Sequence, residues 1–243
     1  MNLMNQYFDK IYVTTIDKHI VRRQSISERI HFLDFEYFDK VDITRKDFTQ
    51  FPYVKDFPDI FFESLNLSKE YASRWSKGQL GCFANVIRLY KDALQNNYSK
   101  ILVLEDDVIL DNKTFEIFEK VLLELPADWD LLFLGYKKST YQKRFWRPFK
   151  RLYHSFKGND HKSIVPVTFS KHLDKLPERF SGGFAYALTL HGIKKILAHK
   201  SPIEEFGDVL FPLISKQPGF KAFVVYPQIA NEVEFESSTQ KNW

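Results

Sequence analysis

The chain has 243 residues, is 44% apolar and 16% aromatic with 24 Phe, and carries a net charge of +4. That is enough apolar material for one sizeable core filled largely by flat rings, and it excludes a disordered chain. The single cysteine, Cys82, excludes an intrachain disulfide framework. No apolar run nears the roughly 20 residues needed to span a membrane, and Met1 to Tyr7 lack the basic and apolar regions of a signal peptide.

Residues 8–16 (FDKIYVTTI) read as a first strand, β-branched and aromatic, closed by polar residues. Residues 22–32 have helical spacing, with Ile26, Ile30 and Leu33 on one side. Residues 35–41 (FEYFDKV) alternate and predict a second strand. Residues 43–76 contain Pro52 and Pro58 among scattered aromatics, and predict an irregular insertion with short helices. Residues 78–97 form the plainest helix, with Leu80, Phe83, Val86, Ile87, Tyr90 and Leu94 at steps of three and four.

The run KILVL at 100–104 is continuously apolar, as a strand buried on both faces should be, and it ends in Glu105-Asp106-Asp107. Asp111 is placed to cap a helix that runs to Leu125 and stops at Pro126. DLLFLG at 130–135 is another buried strand. A strand at 184–190, a short helix at 192–199, a helix at 204–216 and a last strand at 220–226 complete the pattern. His191 reads as a structural histidine at a helix start.

Strands alternating with helices predict an α/β fold with a mostly parallel central sheet, read as one domain over 1–243. In such sheets ligands sit at the carboxyl ends of the strands. That rule points to Thr14 to Asp17, Asp42, Glu105 to Asp107 and Gly135.

Three carboxylates in a row repel one another unless something positive sits beside them. A hard divalent ion, Mg²⁺ or Mn²⁺, suits oxygen ligands and is commonly shared between one or two carboxylates and phosphate oxygens. The alternative is a solvated acidic turn that also caps a helix. Asp107 is the first choice for metal ligand. Glu105 and Asp106 would then face ribose and sugar hydroxyls.

Four blocks in order resemble glycosyltransferase family 25, the lipooligosaccharide and procollagen galactosyltransferase group: IYVTTIDKHIVRRQSISERI, KGQLGCFANVIRLYKDAL, ILVLEDDV, and the stretch from GGFAYALTLHGIKKIL through FGDVLF to YPQIANEVEFESS. The chain departs from that pattern at Thr15-Ile16, where the family shows Asn-Leu, and at Ala84-Asn85, where it shows Ser-His. The resemblance implies a GT-A-like, Rossmann-related domain, a UDP-sugar donor (often UDP-galactose), a Mn²⁺-type metal and inversion at the anomeric carbon. The expected donor-binding set is Thr14, Thr15, Arg22, Arg23, Asp42, Lys77, Glu105 and Asp106. Arg22 or Arg23 would pair with the diphosphate or base; the alternative is a solvated helix start.

An inverting transfer needs a general base on the acceptor hydroxyl. Asp208, set among apolar residues in EEFGDVLF, is the candidate, ahead of Glu204 and Glu205; acceptor binding or helix capping are its other readings.

Residues 137–162 hold nine Lys/Arg and one acid, so this segment carries +8 and the rest of the chain −4. Phe145, Phe149, Tyr153 and Phe156 recur at helical spacing between the cations. The pattern suits an anionic membrane surface or an anionic, lipid-linked acceptor, with a packed surface helix as the alternative. Single-stranded nucleic acid ranks low because no recognition motif accompanies the cations. The expected setting is cytoplasmic, peripheral on the inner face of the membrane. Two rivals to a transferase are another metal-dependent nucleotide-using enzyme, which would bring a Gly-rich phosphate loop, and a non-catalytic adaptor, which would tolerate loss of Glu105, Asp106 and Asp107.

Overall fold

The computed structural model describes residues 2–39, 50–51, 53–136, 167–177, 180, 182–199, 202–204, 211 and 214–233. Asp42, Glu205, Asp208 and the basic segment 137–162 lie outside the described residues.

A short helix α1 (Leu3–Tyr7), capped by the Asn2 side chain, leads into β1 (Lys10–Thr15). Helix α2 (Ile20–Arg29) starts two residues before the spacing predicts and ends in β2 (Glu36–Asp39). A 3₁₀ turn (Val54–Asp56) and helices α3 (Asp59–Ser64) and α4 (Lys69–Ala72) follow. Ser76 and Gln79 form a capping box at the start of α5 (Lys77–Gln95). Each side chain satisfies one orphan backbone N–H of the helix start. β3 (Lys100–Glu105) is buried along its middle. After the acid turn comes a short strand absent from the sequence reading, β4 (Val108–Leu110), then α6 (Asn112–Glu124), which Asp111 caps as expected.

β5 (Leu131–Gly135) is buried throughout. The hairpin β6 (Val167–Thr168) and β7 (Leu173–Lys175) was not legible in the sequence. β8 (Ala185–Thr189), α7 (Leu190–Ala198), β9 (Ala222–Val225) and a final short strand, β10 (Ala230–Glu232), complete the described chain.

Eight strands form one sheet in the order β2-β1-β3-β8-β5-β9-β7-β6, and β4 pairs with β10 in a separate two-stranded ribbon. β1 is parallel to β2 and β3, and β5 to β9. β8 runs antiparallel between β3 and β5, and β7 antiparallel between β9 and β6. Six of the eight strands therefore share one direction, although the two reversed strands make four of the seven neighbour pairings antiparallel. The fold is α/β, with a large sheet whose strands run mostly one way.

The alternation of side chains along each strand divides the core in two. Tyr12, Ile101, Val103, Phe133, Tyr186 and Leu188 pack under α5 and α7. Ile11, Val13, Leu102, Leu104, Leu132 and Ala187 pack under α1, α2 and α6. Burial of both sheet faces explains why the central strands read as continuous apolar runs.

Candidate active site

The candidate site is the carboxyl edge of β1 and β3. In their parallel register Thr14 stands opposite Glu105. Parity puts Thr14 and Glu105 on the α5 side, continuing the row of Tyr12 and Val103. It puts Thr15 and the following Asp106 on the α2 side, continuing Val13 and Leu104. The expected donor-binding residues are thus sorted onto two sides of one strand edge.

On the α2 side, Asp106 is 4% exposed. Its Oδ2 accepts from Thr15 Oγ1 at 2.8 Å and its Oδ1 from Arg22 Nη1 at 2.9 Å. A buried carboxylate is tolerated when paired and hydrogen-bonded, and both conditions are met here. Asp106 faces inward and ties α2 to β1. Arg22 is correspondingly engaged with Asp106.

Adjacent helical residues point about 100° apart, so Arg23 goes elsewhere. It pairs with Asp39 Oδ1 at 2.8 Å, and its guanidinium lies 4.1 Å from the centre of the Tyr37 ring. Tyr37 Oη in turn donates to the Arg23 carbonyl at 2.7 Å. Arg23 therefore belongs to the β2 edge of the sheet, and Arg22 to the acid turn.

Arg29, which lies within the expected helix but outside the expected site, completes the arrangement. Its Nη2 donates to the Asp106 carbonyl at 2.8 Å and its Nε to the Val108 carbonyl at 2.9 Å. Nη1 donates to Ser25 Oγ. Burial pushes the Arg29 guanidinium below its ordinary value, while the negative charges of Asp107 and Asp106 act against that shift. The seven-residue spacing from Arg22, two helical turns, is the sequence signal that places both arginines on one face. The Asp107 carbonyl accepts from Val233 N at 2.8 Å, one residue past β10, which is paired with β4.

On the α5 side, Thr14 Oγ1 donates to the Leu104 carbonyl at 3.3 Å. Glu105 N donates to the Phe184 carbonyl at 2.8 Å. Lys77 opens α5. α5 leads back to the start of β3 through residues 96–99. Gly135, at the end of β5, has no room for a side chain: a Cβ there would meet the Phe184 ring at 2.2 Å.

Among the described residues no group of three or more His, Cys, Asp or Glu is arranged to hold a metal ion. Glu105 and Asp107 flank Asp106 and bring two further carboxylates to the turn. That set fits a hard divalent ion shared with a phosphate-bearing ligand, which needs only one or two protein carboxylates. It does not fit an all-protein cage.

The second polar centre is at the opposite, amino edge. Asp130 is fully buried and accepts from Lys195 Nζ at 2.8 Å, Lys221 N at 2.8 Å and His191 Nδ1 at 2.9 Å. It joins β5, α7 and the approach to β9. His191 thus has a structural partner far from the acid turn. No helix among the described residues is long and apolar enough to cross a membrane.

Residues 8–212 match the model of glycosyltransferase family 25, described as LPS biosynthesis protein. A Haemophilus influenzae protein named, provisionally, as a glycosyltransferase is 25% identical over 95% of this chain and 75% of its own. Human procollagen galactosyltransferase 2 is 32% identical over 28% of this chain and 12% of its own. Human inactive glycosyltransferase 25 family member 3 is 24% identical over 56% of this chain, and the match covers 21% of that protein. The matched part of this chain thus spans 12% and 21% of the length of these two human relatives. Among solved structures, mouse xyloside xylosyltransferase 1 is similar over 87% of this chain and 83% of its own, with 12% identity and a TM-score of 0.42. At that score the likeness carries no inference.

Proposed function

The chain belongs to glycosyltransferase family 25, and from that premise we propose that it is a metal-dependent, inverting transferase moving a hexose, with galactose favoured, from a UDP-sugar to a glycan or lipid-linked acceptor. The observation that carries the reading is the acid turn. It lies at the carboxyl edge of β1 and β3, where ligands of α/β sheets bind, and its middle carboxylate is spent on fixing the turn to α2. A turn anchored in this way presents Asp107 and Glu105 on a rigid base, the condition for a preorganised site.

Asp107, with Glu105 beside it, would hold Mn²⁺ or Mg²⁺ against the donor diphosphate. Such an ion supplies Lewis-acid stabilisation of the charge on the departing diphosphate. Thr14, near the end of β1, and Lys77, which opens α5, are proposed to contact the donor; Asp42 completes the proposed set. In the transfer, the acceptor hydroxyl oxygen forms its bond to the anomeric carbon as the bond to UDP breaks. UDP leaves with the bonding pair, and the hydroxyl proton passes to a base. Asp208 is proposed as that base on its sequence setting. The basic segment 137–162 is proposed to meet an anionic acceptor or membrane at the inner face.

Calorimetry with UDP, with and without Mn²⁺, tests the reading on wild type and Asp107→Ala. The expected result is tight binding that needs both metal and Asp107. Equal affinity in EDTA would remove the metal from the reading. The name of the human family member 3 describes an inactive protein, so release of UDP from UDP-galactose must be measured as well.

A further inference from the structure

We propose that Arg29 is the positioning residue of the acid turn, holding the Asp107 backbone in the one orientation that lets its carboxylate meet a donor-bound cation. The inference rests on the reading of Asp107 given above and deepens it.

Three successive carbonyls flank or belong to Asp107, and all three are held from outside the turn. Arg29 Nη2 takes the Asp106 carbonyl at 2.8 Å, Val233 N takes the Asp107 carbonyl at 2.8 Å, and Arg29 Nε takes the Val108 carbonyl at 2.9 Å. One guanidinium therefore bridges the 106–107 and 108–109 peptide units, and Val233 holds the unit between them. Holding the carbonyls of 106, 107 and 108 together restricts the backbone rotations at Asp107 and Val108, and those at Asp107 set the direction of its side chain.

The planar fork suits this task. Guanidinium N–H groups point in fixed directions within one plane, whereas an ammonium is a point charge that cannot span two separated carbonyls in the same way. The fork is itself held. Ser25, one turn earlier on α2, accepts from Nη1, and Ile26 and Ile30 on either side of Arg29 anchor the helix in the core. Arg22 adds a second tie from the same helix face, to the Asp106 carboxylate. α2 thus grips the turn twice: the Arg22 side chain holds a side chain of the turn, and the Arg29 side chain holds its main chain. The two contacts do different work. The first keeps a buried charge neutralised, while the second shapes the backbone that carries Asp107. Groups that orient metal ligands from outside typically cost about 10- to 100-fold in metal affinity or activity when removed.

The test is UDP affinity by calorimetry for wild type, Arg29→Gln and Arg29→Lys, each in EDTA and in Mn²⁺, with melting temperatures recorded. Arg29→Gln should keep the metal-free UDP affinity and lose most of the Mn²⁺-dependent gain, roughly 10- to 100-fold. Arg29→Lys should fall between it and wild type. If Arg29→Gln does not melt cooperatively, Arg29→Lys alone carries the comparison. A folded variant with the full wild-type metal gain overturns the role of Arg29 and leaves the reading of Asp107 standing. A wild type with no metal gain at all overturns both. Loss of metal-free and metal-dependent binding in equal measure would mean that Arg29 only supports the fold, and would also overturn the inference.

Discussion

Arg22 and Asp106 are 84 residues apart in the chain and 2.9 Å apart in space, and their side chains are only 18% and 6% exposed. This pair fixes α2 against the acid turn. Removing the arginine would leave a buried carboxylate with, among the described residues, the Thr15 hydroxyl as its side-chain partner. Breaking one side of a buried pair costs about 3–5 kcal/mol. Arg22→Met should therefore lower the urea midpoint substantially, and adding Asp106→Asn should recover much of the loss because the stranded charge is gone. A double variant no more stable than Arg22→Met would mean that the charge is not what destabilises it.

Asp208→Asn keeps the shape of the side chain and removes its basicity. Turnover should fall by about 10²- to 10⁴-fold, the usual worth of a general base, with UDP affinity unchanged. Near-normal turnover would move the search to Glu204 and Glu205.

Glu124, at the end of α6, latches the β6–β7 hairpin. It accepts from Ser170 Oγ, from His172 N at 2.8 Å and from His172 Nδ1 at 2.5 Å. Burial alone pushes its carboxyl up, but the Ser170 hydroxyl and the His172 amide and ring together outweigh this and hold it below its ordinary 4.5. The folded chain thus gives up this proton more readily than the unfolded one. The stability contributed is present above about pH 4.5 and is lost as pH falls through the folded value. Melting temperatures followed from about pH 6 to about pH 3 should drop more steeply for wild type than for Glu124→Gln. Parallel curves would show that the latch adds nothing.

Gly192 lies in the first turn of α7, where alanine is ordinarily better than glycine by about 1 kcal/mol. Here a Cβ would stand 2.4 Å from the Asp130 carbonyl oxygen, a backbone atom pinned between strands. Gly192→Ala should destabilise, by about 1–3 kcal/mol. A stabilised variant would mean that α7 can shift away from β5.

The +8 carried by residues 137–162 should draw the protein to anionic vesicles at low salt, because each Lys or Arg near such a surface contributes about 1 kcal/mol. Replacing Lys143, Arg144, Arg147, Lys150 and Arg151 by Gln should abolish co-sedimentation while the melting temperature holds. A wild type that ignores phosphatidylserine vesicles in low salt would leave the acceptor as the remaining partner for these charges.

Much of the framework was legible before any contact was known. The runs KILVL, DLLFLG and FAYALTL are buried strands, Asp111 caps α6, and Leu80, Phe83 and Ile87 face the core from α5. These follow from local periodicity and from the chemistry of single residues. The short strands β4, β6, β7 and β10 were missed because two or three residues carry no period. Their pairing depends on a partner brought from elsewhere in the chain.

By itself the sequence determined that a cluster of acids closes a doubly buried strand, and that basic residues follow the first strand. It left open which of Arg22 and Arg23 reaches the acid turn, and it did not single out Arg29. Strand parity and the seat of α2 decided those matters. Asp106 turns toward the helix that carries Arg22, Arg23 turns to Tyr37 and Asp39 at the sheet edge, and Arg29 reaches the turn's carbonyls. The reversed direction of β8 was likewise fixed only by its neighbours, since a continuously apolar run reads the same in either direction. Burial pattern is a local property of the chain. The partner of a given charge depends on which elements the fold sets side by side, and Arg22 and Arg29 find theirs some eighty residues further along the chain.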